Sequence, residues 1–170
     1  MPAIPPPNSW FENHIKVKDR FTSKIIPFRA NPVQTRFRQV INRHRKDNGG
    51  MIRINVLKSR RVGISTYVEM ILFKHVLLVP NFEALVVSHN DQSTNAIFDM
   101  FRLFRDECQL KREERLNNRR GITYEAPHRS SVQISTVGSD DIGRGGGKQG
   151  LHLSEIAWWQ SAYARGALSS

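Results

Sequence analysis

Residues 51–66 read Met51-Ile52-Arg53-Ile54-Asn55-Val56-Leu57-Lys58-Ser59-Arg60-Arg61-Val62-Gly63-Ile64-Ser65-Thr66. Met51–Leu57 alternates and is rich in β-prone residues, which predicts the first core strand. Lys58–Ile64 reads as a loop. Ser65–Leu78 is apolar almost all round, the pattern of a buried helix. Strand, loop and buried helix in succession make an α/β unit. In such units ligands gather at the carboxyl ends of the strands, so the loop from Lys58 is the first place to look for chemistry.

Upstream of this stretch, residues 1–30 hold five of the eight prolines and read as an irregular arm. Asn31-Pro32 is then a helix N-cap followed by proline at the first helical position, where its missing N–H costs nothing. Val33, Phe37, Val40 and Ile41 follow at helical spacing, and Asp47-Asn48-Gly49-Gly50 ends that helix with turn formers. Downstream, the apolar run within Phe82–Ser88 predicts a parallel strand covered on both faces. Asp91–Glu107 is a second helix carrying Ile97, Phe101, Phe104 and Cys108 in one stripe, and Lys111–Arg120 reads as a solvated helix face or loop. Ile122–Glu125 and Val132–Val137 predict a β-hairpin, Gly143–Gly150 a glycine-rich loop, and Leu151-His152-Leu153 a last short strand. The order predicts an α/β layered domain over residues 31–170, with a mostly parallel central sheet flanked by helices and an inserted β-hairpin.

Length and composition suit one globular domain: 170 residues, 39% hydrophobic and 24% charged. The apolar runs are far shorter than the roughly 20 residues a membrane helix needs, and the proline-rich start lacks the apolar stretch of a signal peptide. Cys108 is the only cysteine, so no internal disulfide can form and a reducing compartment fits. The charge is the informative quantity. Twenty-six Lys and Arg against 15 Asp and Glu leave a formal net of +11, which favours phosphate-rich partners, nucleic acid above all.

The usual phosphate loop, G-x-x-x-x-G-K-S/T between a strand and a helix, points backbone N–H groups and a helix N-terminus at phosphates. Here Gly63 stands at the second glycine and Ser65 at the magnesium-binding hydroxyl, but Ile64 replaces the lysine and Lys58 the first glycine. A lysine at the front of the loop can still reach the β- and γ-phosphates, because the loop folds round them. Arg60 and Arg61 either assist or face solvent. Taken alone, a Gly-x-Ser-Thr turn is as often an ordinary helix start. Nucleotide hydrolysis also needs a carboxylate at a neighbouring strand end to polarise water. Leu151-His152-Leu153-Ser154-Glu155 ends in such a group, Glu155, with Ser154 where an aspartate commonly orders magnesium.

With both halves in view, Lys58–Thr66 resembles the deviant phosphate loop of the large terminase subunits of tailed double-stranded DNA viruses, in which the basic residue moves to the front. Arg144-Gly145 followed by Leu151-His152-Leu153-Ser154-Glu155-Ile156-Ala157-Trp158-Trp159 is similar to that family's approach to its catalytic glutamate. Pro32 and Gln34 resemble its adenine-recognition segment. The resemblance covers about residues 28–165. It implies a magnesium-dependent ATPase in which Lys58 contacts the β/γ-phosphates and Ser59, Arg60, Arg61, Val62, Gly63, Ile64, Ser65 and Thr66 cradle them. Ser65 would ligate Mg2+, Ser154 would reach it through water, and Gln34 would read the base. Glu155 would orient or deprotonate the attacking water, and Arg144 would act as an arginine finger within the subunit or toward the next.

The partners so implied are double-stranded DNA, a portal protein, a small terminase subunit and further copies in a ring, with no membrane. The implied location is the cytoplasm of an infected host cell rather than the mature virion. The family's coupling motif and nuclease domain have no counterpart before Ser170, which implies a piece of a longer protein. The alternatives are a basic DNA- or procapsid-binding module with a degenerate phosphate loop, and a helicase-like ATPase, which normally keeps its lysine beside the second glycine. No Cys/His spacing suits zinc. His89 and Asp91 follow a strand end without a nucleophile beside them. Asp140-Asp141 reads as a turn, Trp158-Trp159 as packing, and one Arg-Gly-Gly-Gly tract is thin evidence for RNA.

Overall fold

The computed structural model describes residues 7–118, 120–139, 142 and 147–159. The elements run α1 (Pro7–His14), β1 (Lys16–Lys18), β2 (Ile25–Pro27), α2 (Pro32–Asp47), α3 (Ile64–Leu78), β3 (Glu83–Ser88), α4 (Asp91–Glu107), β4 (Glu114–Asn118), β5 (Gly121–Tyr124), β6 (Ser131–Thr136) and β7 (Gly150–Leu153), then a short 3-10 turn, Ile156–Trp158.

Five strands form one sheet in the order β4-β5-β6-β3-β7, and β1 pairs with β2 apart from it. β3 lies between β6 and β7 and runs parallel to both, whereas β4–β5 and β5–β6 are antiparallel. The sheet is therefore half parallel and half antiparallel, not mostly parallel. The predicted hairpin is present as β5–β6, but it continues the main sheet through β6 instead of standing as an insertion. β4 adds a strand where a helix face or loop was expected. It pairs with β5 along one edge and stays largely exposed; Arg115 faces water, whereas Glu114 is partly buried against Arg105 of α4.

β3 is buried on both faces, as its continuous apolar run requires. Ala84 and Val86 enter the main core with Met70, Phe73, Val76 and Leu77 of α3 and Ile97, Phe101 and Phe104 of α4. Leu85 and Val87 pack on the opposite face under Trp159, joined by Val137, Ile142 and Leu153. α3 and α4 thus share one face of the sheet, and the other face is closed by the indole that follows β7. Trp159 is buried and donates from its indole N–H to Ser154 O at 3.1 Å, while Trp158 is exposed.

Two further expectations differ from the structure. Residues 7–28 are not an irregular arm. α1 and the β1–β2 pair deliver Trp10, Phe11, Ile15 and Phe28 to the main core, where Phe11 and Phe28 meet Tyr67 edge-on and tilted. Proline density marked the chain's start but did not outweigh four large apolar side chains seeking burial. Met51–Leu57 forms no strand. It is exposed apart from half-buried Ile54, with Leu57 fully in solvent. Alternation supplies side chains for a half-buried strand but no hydrogen-bonding partner, and among the described residues none pairs with this segment.

The interior also holds imidazoles that are disfavoured as cations. His75 Nδ1 bonds Ile71 O at 2.7 Å and His128 Nε2 bonds Val76 O at 2.9 Å, and burial is the first cause that lowers both pKa values below the ordinary histidine value. In the unfolded chain these groups bind protons near pH 6.5, so the unfolded state takes up more protons as pH falls, and stability is lost below that value and retained above it. The midpoint of thermal unfolding should fall between pH 7.5 and 5.5. The fall should be shallower in His75→Asn/His128→Gln, which keeps a donor near each bonded ring nitrogen without a titrating group.

Candidate nucleotide site at the carboxyl end of the sheet

The loop ahead of α3 is held from behind by the start of α2. Asn31 and Gln34 form a reciprocal capping box: Asn31 Oδ1 accepts from Gln34 N at 2.9 Å and Gln34 Oε1 accepts from Asn31 N at 3.0 Å. Their amide nitrogens then reach across to the loop, Asn31 Nδ2 to Val62 O at 3.2 Å and Gln34 Nε2 to Gly63 O at 2.8 Å. Gln34 is consequently buried, with both ends of its amide engaged. In this arrangement it grips the loop; it does not present a free edge to a base.

Gly63 is left-handed, φ 76°, and caps α3 with no side chain of its own. A Cβ there would stand 2.7 Å from Gln34 Nε2, so both conformation and space demand glycine. The first-turn N–H groups of α3 are left without a side-chain cap, and Ser65 and Thr66 lie half-buried beside them. Ile64 is buried: the position that carries lysine in the usual loop points into the core here, which gives a physical reason for an apolar residue. Arg61 also has positive φ, 65°, and with Ser59 and Arg60 it is exposed. Lys58 is exposed too and makes no hydrogen bond or ion pair among the described residues. The back of the loop is built in; its front is not.

The other half of the site follows from topology. α3 runs antiparallel to β3 and β7, because Leu72 packs where a Gly150 Cβ would fall, at 2.8 Å, while Glu69, one turn earlier, meets His152 at 2.6 Å. Ile64 starts α3 about 7.5 Å before Glu69, and Glu155 follows His152 by about 10 Å of chain. The amino end of α3 and the end of β7 therefore lie at the same end of the sheet.

At that end Glu155 is left-handed, φ 58° and ψ 40°, an uncommon and strained conformation for a residue with a Cβ. Its carboxylate is half-exposed, and Oε2 stands 2.8 Å from His89 Nδ1 beyond β3, a close approach that is not aligned as a hydrogen bond. Ser88 is fully buried with an unbonded hydroxyl among the described residues. Thr136 at the end of β6 donates to Asp91 Oδ1 at 2.6 Å and shares a hydroxyl contact with Thr94 at 2.9 Å, tying β6 to the start of α4. Ser154 is buried, its N–H bonded to Val87 O at 2.8 Å.

The structure thus brings Gly63, Ser65, Ser154 and Glu155 to one end, leaves Lys58, Ser59, Arg60 and Arg61 in solvent and turns Gln34 onto the loop. Arg144 lies outside the described residues. His89 was noted in the sequence only as following a strand. Its partner Glu155 is 66 positions away, and no local pattern joins them. No model of a known protein family matches the chain, and a search of curated proteins finds no significant match.

Gly63→Ala should destabilise the fold by roughly 1–3 kcal/mol, the cost of a strained left-handed residue. Gln34→Ala should recover part of that loss in the double variant by removing the clash but not the backbone strain. Thermal unfolding of the two singles and the double closes the cycle, and strict additivity would mean that the two residues do not touch.

Proposed function

We propose that the chain is a magnesium-dependent ATPase of the large-terminase type, using ATP to drive double-stranded DNA into a viral procapsid. The observation that supports it most is the meeting, at one end of the sheet, of a helix N-terminus opened by left-handed Gly63 and a carboxylate, Glu155, held in a strained conformation. Backbone N–H groups from Gly63 to Thr66 would receive phosphate oxygens, favoured by the dipole of the 15-residue α3. Magnesium supplies charge neutralisation at the phosphates when bound, and Ser65 would hold it, with Ser154 acting through water. Glu155 would take the proton of the attacking water. Lys58 and Arg144 would bring positive charge to the β- and γ-phosphates.

Charge supports the DNA part of the reading. Residues 36–61 contain nine Lys and Arg against one acid, Asp47. None of the nine forms an ion pair among the described residues, although Lys16, Arg29, Arg105 and Lys148 elsewhere all do. Arg36 and Arg43, two helical turns apart on the exposed side of α2, can follow a phosphate backbone. No helix among the described residues is long and apolar enough to cross a membrane.

A second reading, a basic DNA- or procapsid-binding module without turnover, is favoured by the solvent-exposed Lys58 and by the engaged amide of Gln34. Magnesium-dependent ATP turnover at high protein concentration separates the two. Glu155→Gln should lower kcat by about 10²–10⁴-fold, the worth of a general base, while still binding ATP. Lys58→Ala should raise the Kd for ATP roughly 10- to 100-fold, as loss of one charged phosphate contact does. A folded parent that neither binds nor hydrolyses ATP would sink the ATPase reading. In parallel, Arg36→Ala/Arg43→Ala should weaken duplex binding uniformly across sequences and reduce its log–log salt slope by about two. An unchanged slope would remove α2 from the DNA surface.

A further inference from the structure

Glu69 is a charge that the proposed chemistry does not use. It lies in the second turn of α3 with no exposure at all, and Oε1 accepts from His152 Nδ1 at 2.6 Å while Oε2 has no partner among the described residues. A carboxylate in such surroundings is strongly disfavoured unless paired. Even paired, it is a poor source of stability, since apolar side chains of similar volume commonly serve as well or better. What a short, directional bond does, and apolar contact does not, is forbid sliding. Leu72 against Gly150 would tolerate a small shift of α3 along β7; the Glu69–His152 bond does not.

Its place gives that constraint a consequence. Glu69 stands five residues after Ile64 on the helix that the phosphate loop opens, and His152 three residues before Glu155. In register with Val86, His152 projects to the α3 face of the sheet, whereas Leu153 packs on the other face under Trp159. The pair is therefore a direct side-chain link between the elements bearing the two halves of the site. We propose that Glu69 and His152 are positioning residues for ATP hydrolysis, setting the separation between the phosphate-binding end of α3 and the Glu155 carboxylate. This inference rests on the ATPase reading. Displacement by about 1 Å is enough to lower a rate about 100-fold when a nucleophile must be aligned.

The test compares the parent with Glu69→Leu/His152→Leu, Glu69→Gln and His152→Asn, whose amide nitrogen can stand where Nδ1 stood. Thermal unfolding, kcat and KM for magnesium-dependent ATP hydrolysis, and backbone hydrogen exchange are measured on each. The double-leucine variant should unfold no earlier than the parent and keep KM within about twofold, with kcat lowered roughly 10- to 100-fold. His152→Asn should retain most of kcat. Exchange at the Ser154 amide should quicken at least tenfold in the double variant, with β3 unaffected. Full kcat and unchanged Ser154 exchange in a folded double variant would overturn the proposal, as would a loss expressed in KM alone. Should the double variant not fold, Glu69→Gln is read by the same three measurements. If the parent hydrolyses no ATP, the ATPase reading falls by itself, and Ser154 exchange still decides whether the pair holds the end of β7.

Discussion

β3 is the strand on which the rest of the molecule hangs. Parallel neighbours bond to both its edges, α3 and α4 cover Ala84 and Val86, and Trp159 closes the face of Leu85 and Val87. A strand buried on both faces and bonded on both edges has its register set from four sides. That register aligns the ends of β6, β3 and β7, so Thr136, Ser88 and Leu153 finish at a common edge. The polar residues gathered there, His89, Asp91, Ser154 and Glu155, are near one another because the strands beneath them cannot slip.

α3 is placed against this frame by contacts of different kinds along its length. Its interior packs by volume, through Met70, Phe73, Val76 and Leu77. Its amino end is held by polar bonds: Gly63 O accepts from both Tyr67 N and Gln34 Nε2, so the last residue of the loop serves two helices. The capping box that starts α2 thereby also fixes where α3 starts. Farther along, Lys74 is buried with its ammonium 5.4 Å from the rings of Trp10 and Phe11, and burial is the first cause that lowers its pKa. Cations accumulate along α2 and the loop after it with Asp47 as the one acid among them, whereas the start of α4 carries Asp91 where a helix dipole favours a negative charge. The two helix starts at this end of the sheet thus differ in electrostatic character: one is open and set close to arginines, the other is already neutralised.

Elements whose signals are local were legible in the residues themselves. Asn31-Pro32 and Asp47-Asn48 bracket α2 because capping and turn chemistry act over a few residues. The stripe of Ile97, Phe101 and Phe104 defined α4, and the unbroken apolar run of residues 84–87 announced a strand buried on both faces. Gly63 stood out as a glycine entering a helix, and its left-handed geometry is what that position demands. Glu155 stood out as a charge closing an apolar run. Where the residues misled, the deciding partner was remote. Met51–Leu57 has the side chains of a strand, but pairing is a property of two segments. The proline-rich beginning concealed Trp10, Phe11, Ile15 and Phe28, whose burial depends on a surface made by Tyr67 and its neighbours.

The sequence by itself determined helix ends, apolar faces, net charge and the kinds of groups available for chemistry, because each of these follows from one residue and its near neighbours. Only the tertiary structure decided which groups meet: Gln34 with Gly63, His89 with Glu155, and Glu69 with His152 across 83 positions. A lone glutamate in an apolar helix signals that something must answer its charge. Which residue answers is settled by the antiparallel packing of α3 on β7, since a hydrogen bond depends on distances in space that no spacing along the chain encodes.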